Sequence, residues 1–198
     1  MLMLIQSNIQ AQTPIAPGTF TVNGKTFLVK LRTNAIVGNT IPNSLVIYLQ
    51  SGLINSYPAV RTTPRSPADC SSSVHNDFEN HKSDFVKFYN VLRNVFSDAR
   101  CTAIMNHDNE GPDFFVFAVD ANGAVLDLTI SITLNSLVTP QEIEALYTQL
   151  LAQMKFTTSP INCPSTAGFY FHVDPDDLRW IHNYPHYFGN DKYWKNRP

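Results

Sequence analysis

The sequence predicts an α+β fold: a mostly antiparallel sheet with two main helices, in one domain. Three observations predict it. Asn-Gly occurs twice between apolar runs, at Asn23-Gly24 and Asn122-Gly123, and both residues of that pair tolerate the positive φ that a tight hairpin turn requires. From Leu126 to Leu134, apolar residues at 126, 128, 130, 132 and 134 alternate with Asp127, Thr129, Ser131 and Thr133, the period of a strand with one buried and one wet face. Apolar stripes at helical spacing follow two capping boxes, Asn76–Glu79 and Thr139–Glu142.

In chain order, Phe20–Leu31 forms the first hairpin around Asn23-Gly24. Ser44–Gln50 is a strand set off by Pro42 and Gly52. Asn55–Val74 carries Pro58, Pro64 and Pro67 without periodicity and reads as a long loop. The first helix runs from the Asn76 cap to near Ser97, with Phe85, Phe88, Tyr89, Leu92, Val95 and Phe96 on its apolar face. Cys101–Met105 reads as a short strand, and residues from His107 to Pro112 as a polar turn. Phe114–Val119 is apolar on both faces, which suits a strand in the middle of a sheet. The second helix has Thr139 as cap, Pro140 at its first position and Glu142 reaching back. Its stripe is Ile143, Leu146, Tyr147, Leu150, Leu151 and Met154. A short strand at Lys155–Thr158, a loop at Pro160–Gly168 and a strand at Phe169–Val173 follow. Asp174-Pro-Asp-Asp177 opens a short helix through Trp180.

The division this suggests is a residual signal-like segment at 1–11, a single α+β domain at 12–181 and an aromatic extension at 182–198. Hydrophobic residues are 43% of the 198, enough for a real core. A net charge of −2 supplies no field for nucleic acid or an acidic membrane surface, so no nucleic-acid partner is expected. Charged residues are only 15%, and uncharged Asn, Ser and Thr make up the polar surface, a balance common in exported proteins. The opening residues read as the end of a secretory signal peptide, with apolar Met1–Ile5 and a cut after Ala11, so a periplasmic or secreted location is expected. The alternative is a mildly apolar terminus of a cytosolic protein. No run approaches the ~18 apolar residues of a membrane helix. The three cysteines, Cys70, Cys101 and Cys163, form no C-x-x-C. An exported chain then suggests one disulfide and one odd thiol, and Cys101–Cys163 is the preferred pairing.

The segment Phe-Val-Phe-Ala-Val-Asp-Ala-Asn-Gly-Ala-Val-Leu-Asp-Leu, its amphipathic helix closing in Leu-Ala-Gln-Met-Lys-Phe, and the loop and strand that follow resemble the periplasmic C-terminal domain of TonB-type energy transducers. Val119-Asp120, Gly123, Met154, Phe156, Pro160 and Phe169–Val173 stand where that family has its strand end, turn glycine, helix end, loop proline and last strand. The resemblance covers residues 111–173. The aromatic-Pro pair after the helix is not matched, since Thr157 follows Phe156. The sequence also shows no membrane anchor or Pro-rich spacer, so coupling to an inner-membrane motor is not implied. What the resemblance implies is a β-hairpin–helix–strand unit able to bind another chain by strand addition.

Candidate chemistry is sparse. His172 and Asp174 stand two apart on a strand and share a face, and His107 adjoins Asp108. An envelope-polymer hydrolase would use His172, Asp174 and His107 as its proton-moving groups. His182 and His186 have an H-x3-H spacing, the metal-site alternative, but Pro185 breaks the helix it needs. The plainer reading of all these histidines is surface or satisfied side chains, because nothing in sequence makes them converge. Asp174, Asp176 and Asp177 lack the glycine and terminal glutamate of a calcium loop. No Gly-x-Ser-x-Gly elbow or phosphate-cradling glycine motif occurs, and no cofactor is expected. The tail residues Tyr184, Tyr187, Phe188, Tyr193 and Trp194 suit partner contacts, carbohydrate stacking or cover for a sheet face. The function expected is therefore a non-enzymatic interaction module or accessory subunit of a cell-envelope assembly with an envelope protein as partner. A hydrolase and a carbohydrate-binding protein are the alternatives.

Overall fold

The computed structural model describes residues 14–32, 35–36, 39–40, 44–56, 82–105, 112–120, 122–156 and 166–172. The first hairpin forms as the sequence predicts. Strands β1 (Gly18–Val22) and β2 (Lys25–Arg32) pair antiparallel across a two-residue turn, with Val22 opposite Lys25. Asn23 and Gly24 both take positive φ, 50° and 75°, which is the primed turn whose twist matches the strands. A small hairpin not foreseen from sequence, β3 (Ala35–Ile36) with β4 (Asn39–Thr40), precedes β5 (Ser44–Leu49).

A single turn, α1 (Leu53–Ser56), follows β5. Helix α2 (Lys82–Val95) buries Phe88, Tyr89, Val91 and Leu92. Residues 101–105 are helical rather than extended, which corrects the sequence reading: α3 spans Asp98–Met105. Ser97 starts this helix, since its Oγ accepts from the Arg100 amide at 3.3 Å and its carbonyl from the Cys101 amide at 2.8 Å. Asp98 in the first turn complements the positive end of the helix.

The central strands β6 (Pro112–Asp120) and β7 (Val125–Thr133) pair antiparallel in one sheet. Their connection is wider than a two-residue turn. Gly123 has φ 80°, and Asn23 is the non-glycine with positive φ among the described residues, so Asn122 does not play the role that Asn23 plays. The end of the next helix docks here instead: the Phe156 amide donates to the Gly123 carbonyl at 2.8 Å, and Ala124 bridges Lys155. Of the expected strand at Lys155–Thr158, only this bridge falls within the described residues. Helix α4 (Pro140–Gln153) has the predicted capping box at both contacts, Glu142 amide to Thr139 Oγ1 at 3.1 Å and Thr139 amide to Glu142 Oε2 at 2.8 Å. Strand β8 (Thr166–His172) starts inside the predicted loop and pairs antiparallel with β6, from Asp120 opposite Thr166 to Phe114 opposite His172.

The six-stranded sheet has the order β1-β2-β5-β7-β6-β8, antiparallel throughout, and with its helices makes an α+β fold. One core holds Phe27, Val29, Leu45, Ile47, Phe115, Phe117, Leu128, Ile130 and Ile132 from one sheet face with Phe88 and Leu92 of α2, Ile104 of α3, and Ile143, Leu146 and Leu150 of α4. Phe88 stands edge-on to Phe115 at 5.0 Å, and Phe117 edge-on to Phe156 at 5.2 Å, the T-shaped geometry that ring quadrupoles favour. Burying each such ring contributes about 2–3 kcal/mol from area alone.

Strand β7 departs from the expected alternation. Thr129 and Ser131, read as a wet face, are buried, as are Val46, Tyr48 and Ala118, which share that face by register. The strand lies third from one edge of the sheet, and it is buried on both faces, at Leu128, Ile130 and Ile132 on one and at Thr129 and Ser131 on the other. A bulge adds one residue between Val125 and Asp127: Val119 pairs with Val125 and Ala118 with Asp127, so Leu126 is left over and is 43% exposed.

Candidate functional site

Three polar clusters hold the described elements together. The deepest is centred on Asp127, which the alternation assigned to solvent and the structure buries at 1% exposure. The bulge brings it past the end of β5, where the chain turns back through Gly52 into α1. Its Oδ2 accepts from the Ile54 amide at 2.7 Å, capping α1. Its Oδ1 accepts from the Leu128 amide and from the Tyr147 hydroxyl, each at 2.8 Å. Gly52 is required at this spot, because a Cβ there would stand 2.5 Å from Asp127 Oδ2. Tyr147 belongs to α4, so one carboxylate ties α1, β7 and α4. Burial, then the Asp127 charge, then the hydrogen bond to it hold the Tyr147 phenol above its ordinary range, so this phenol stays protonated as a donor. No ion pair among the described residues reaches Asp127.

The second cluster is Glu144 on α4, 7% exposed. Lys25 pairs with its Oε1, Thr148 donates to Oε1 at 2.7 Å, and the Asn23 amide group donates to Oε2 at 3.0 Å. The hydrogen bond from Lys25, with those from Thr148 and Asn23, outweighs burial and holds the Glu144 carboxyl below its ordinary range. This fastens the first hairpin's turn to α4. The third cluster joins α3 to α4: Arg100 grips Glu142 through Nε at 2.5 Å and Nη2 at 2.9 Å, and Nη2 also donates to the Leu137 carbonyl. The fork is bidentate, and its carboxylate is the one that completes the α4 capping box. In all three clusters the charged and polar groups are used to hold elements in place.

The residues singled out from sequence stand as follows. His172 is the last residue of β8, in register with Phe114. Asp174 and His107 lie outside the described residues, as do His182, His186 and the tail residues Tyr184, Tyr187, Phe188, Tyr193 and Trp194. The segment 1–11, the Asn76–Glu79 cap, the chain from 57 to 81 and the Asp174–Trp180 helix lie outside them too. Cys101 is a buried free thiol on α3, with Sγ 3.8 Å from the Phe96 carbonyl. Its expected disulfide partner, Cys163, falls outside the described residues. Burial, with Asp98 and Glu142 nearby, pushes the Cys101 thiol up to about 11, the reverse of what a nucleophile needs. Among the described residues no three His, Cys, Asp or Glu side chains gather to hold a metal, and no helix is long and apolar enough to cross a membrane.

Sequence reasoning named none of the three clusters. Asp127 had one local signal, a lone carboxylate inside an otherwise apolar and hydroxyl-bearing strand, and its partners lie 20 and 73 positions away.

In the described sheet β1 and β8 are the outermost strands, and neither Gly18-Thr-Phe-Thr-Val22 nor Thr166-Ala-Gly-Phe-Tyr-Phe-His172 contains a charged residue or a proline. Lysines, inward charges and prolines are the usual means by which sheet edges are blocked.

No protein-family model matches the chain, and no curated protein matches it. Among solved structures it is similar to a DUF5043 family protein from Bacteroides uniformis ATCC 8492, with a TM-score of 0.53 and 12% identity over 80% of this chain and 91% of that one. At that identity the likeness concerns the fold alone.

Proposed function

We propose that the chain is a non-enzymatic protein-interaction module, an accessory subunit of a cell-envelope assembly outside the cytoplasm, that takes an envelope protein as its partner by strand addition at β8 and through the aromatic residues that follow. The observation that carries this reading is the edge position of β8, seven residues without charge or proline. An extended partner segment laid beside it gains main-chain hydrogen bonds along its length, and side chains at alternate positions supply specificity. The order β6, β7, α4, β8 supports it as well, because it is the hairpin–helix–strand order for which the sequence resembles the transducer domain. The Asp127, Glu144 and Glu142 carboxylates are taken up in internal contacts, which favours a binding role over proton transfer at those positions.

The test is photo-crosslinking in the native cell. A crosslinking amino acid replaces Tyr170 in β8, and a control carries it at exposed Thr102 of α3. The reading expects one discrete envelope-protein adduct from the β8 position, absent from the control and weakened by Trp194→Ala. Recovery of the protein in the cytosolic fraction as a free monomer, with no adduct, refutes it.

A further inference from the structure

We infer that strand β1 is a self-pairing edge, where a second copy of this chain docks antiparallel with the two-fold axis at Phe20. The inference concerns the opposite edge from β8 and does not rest on the function proposed above.

The two-residue turn fixes which main-chain groups β1 uses. Across such a turn the closing residues, Val22 and Lys25, exchange both hydrogen bonds, and bonded and non-bonded pairs then alternate. Phe20↔Phe27 and Gly18↔Val29 are therefore bonded pairs, while Thr21↔Thr26 and Thr19↔Leu28 are not. The Thr21 and Thr26 hydroxyls stand 3.0 Å apart, as side chains do in the closer, non-bonded kind of pair. The N–H and C=O groups of Thr19 and Thr21 thus point away from β2, off the edge of the sheet.

The sequence at that edge is its own complement. Thr19-Phe20-Thr21 reads the same in both directions, so a two-fold axis at Phe20 sets Thr19 opposite Thr21 of the other copy, twice. Those are the residues whose main-chain groups are turned outward, and each such pair exchanges two N–H···O bonds. Phe20 then meets Phe20 of the second copy at the non-bonded position, where side chains come closest. Its ring is half-buried, stacked on Phe27 at 5.1 Å, and pairing covers the remainder. β1 itself carries no charge to oppose the approach, and Lys25 at the neighbouring position is already paired with Glu144. A heterologous strand fits this edge too; the second copy is inferred because the two-fold register sets Thr opposite Thr and Phe opposite Phe, both favourable cross-strand pairs.

The test is the mass of the full-length protein by sedimentation equilibrium across the micromolar range, with thermal melts to confirm folding. Thr19 and Thr21 are both exposed, so substitution there spares the core. The wild type is expected to sediment as a dimer. Thr19→Lys/Thr21→Lys places lysine opposite lysine twice and raises the dimer dissociation constant more than about tenfold, as does Thr19→Glu/Thr21→Glu. Mixing these two variants restores a dimer. Thr19→Lys/Thr21→Glu dimerises alone, because the proposed register sets unlike charges opposite each other. A monomeric wild type, or a double-lysine variant as dimeric as wild type with an unchanged melt, overturns the inference.

Discussion

Gly24 and Gly123 have nearly the same backbone, φ 75° and φ 80°, but opposite surroundings. A Cβ on Gly24 meets nothing within 4 Å, whereas on Gly123 it would lie 1.9 Å from the Phe156 carbonyl oxygen, in backbone that bonds back to Gly123. Gly24→Ala therefore costs only the left-handed strain, about 1 kcal/mol. Gly123→Ala adds the displacement of the chain at the end of α4 and costs about 3 kcal/mol or more. Urea unfolding of both variants checks this, and equal losses would show that the turn and residue 156 are not in contact. Cys101 offers a second test at this scale. Buried and with its thiol pushed up to about 11, it is expected to resist alkylation in the native protein and to react once urea unfolds it, without reductant. A chain that needs reductant before Cys101 reacts holds it in a disulfide, the Cys101–Cys163 pairing that the sequence suggests.

Helix α4 shows what the sequence discloses about an element and what it withholds. Thr139→Ala is expected to cost about 1 kcal/mol by freeing the Glu142 amide. Glu142→Gln keeps the capping box but loses the charged half of the fork to Arg100. A double-mutant cycle with Arg100→Ala is therefore expected to give a coupling of about 1–2 kcal/mol, and additive losses would make the fork energetically idle. The cap itself was legible, because Thr139, Pro140 and Glu142 lie within four residues and the stripe repeats at helical period. The first hairpin was legible for the same reason. Helix α3 was not, since its six-residue run from Arg100 has no period, and it is held by Glu142, 42 positions on. The burial of Thr129 and Ser131 was equally hidden, because alternation reports where polar residues fall and not whether a second face is covered. Of the candidate site, the edge position of β8 follows from pairing that sequence implies only loosely, and the Asp127 cluster depends on a bulge with no local signature.

At the scale of the molecule, α4 is fastened to the sheet by two titratable contacts within one turn, Glu144 to the first hairpin and Tyr147 to Asp127 beside α1. They limit stability from opposite ends of the pH scale. The folded Glu144 carboxyl lies below its ordinary value, so the unfolded chain takes up its proton first as pH falls. Its contribution is complete above about pH 4.3, the ordinary glutamate value, and disappears as pH drops through the lower folded value. Tyr147 is the converse case: its folded phenol lies above the ordinary value, so the unfolded chain loses that proton first as pH rises. Its contribution is whole below about pH 10 and declines above it until the folded phenol also ionises. Urea midpoints measured from acid to alkaline pH for wild type, Glu144→Gln and Tyr147→Phe separate the two effects. Each variant is destabilised at neutral pH, Glu144→Gln through the weakened hold on Lys25 and Tyr147→Phe through an Asp127 oxygen that loses a donor. The Glu144→Gln curve approaches wild type as pH falls below about 4, and the Tyr147→Phe curve approaches it as pH rises above about 10, because there the unfolded wild type is stabilised by protonation of Glu144 or by ionisation of Tyr147 while the folded contact persists. Curves that stay parallel to wild type at both extremes would mean that these contacts do not hold α4 on the sheet.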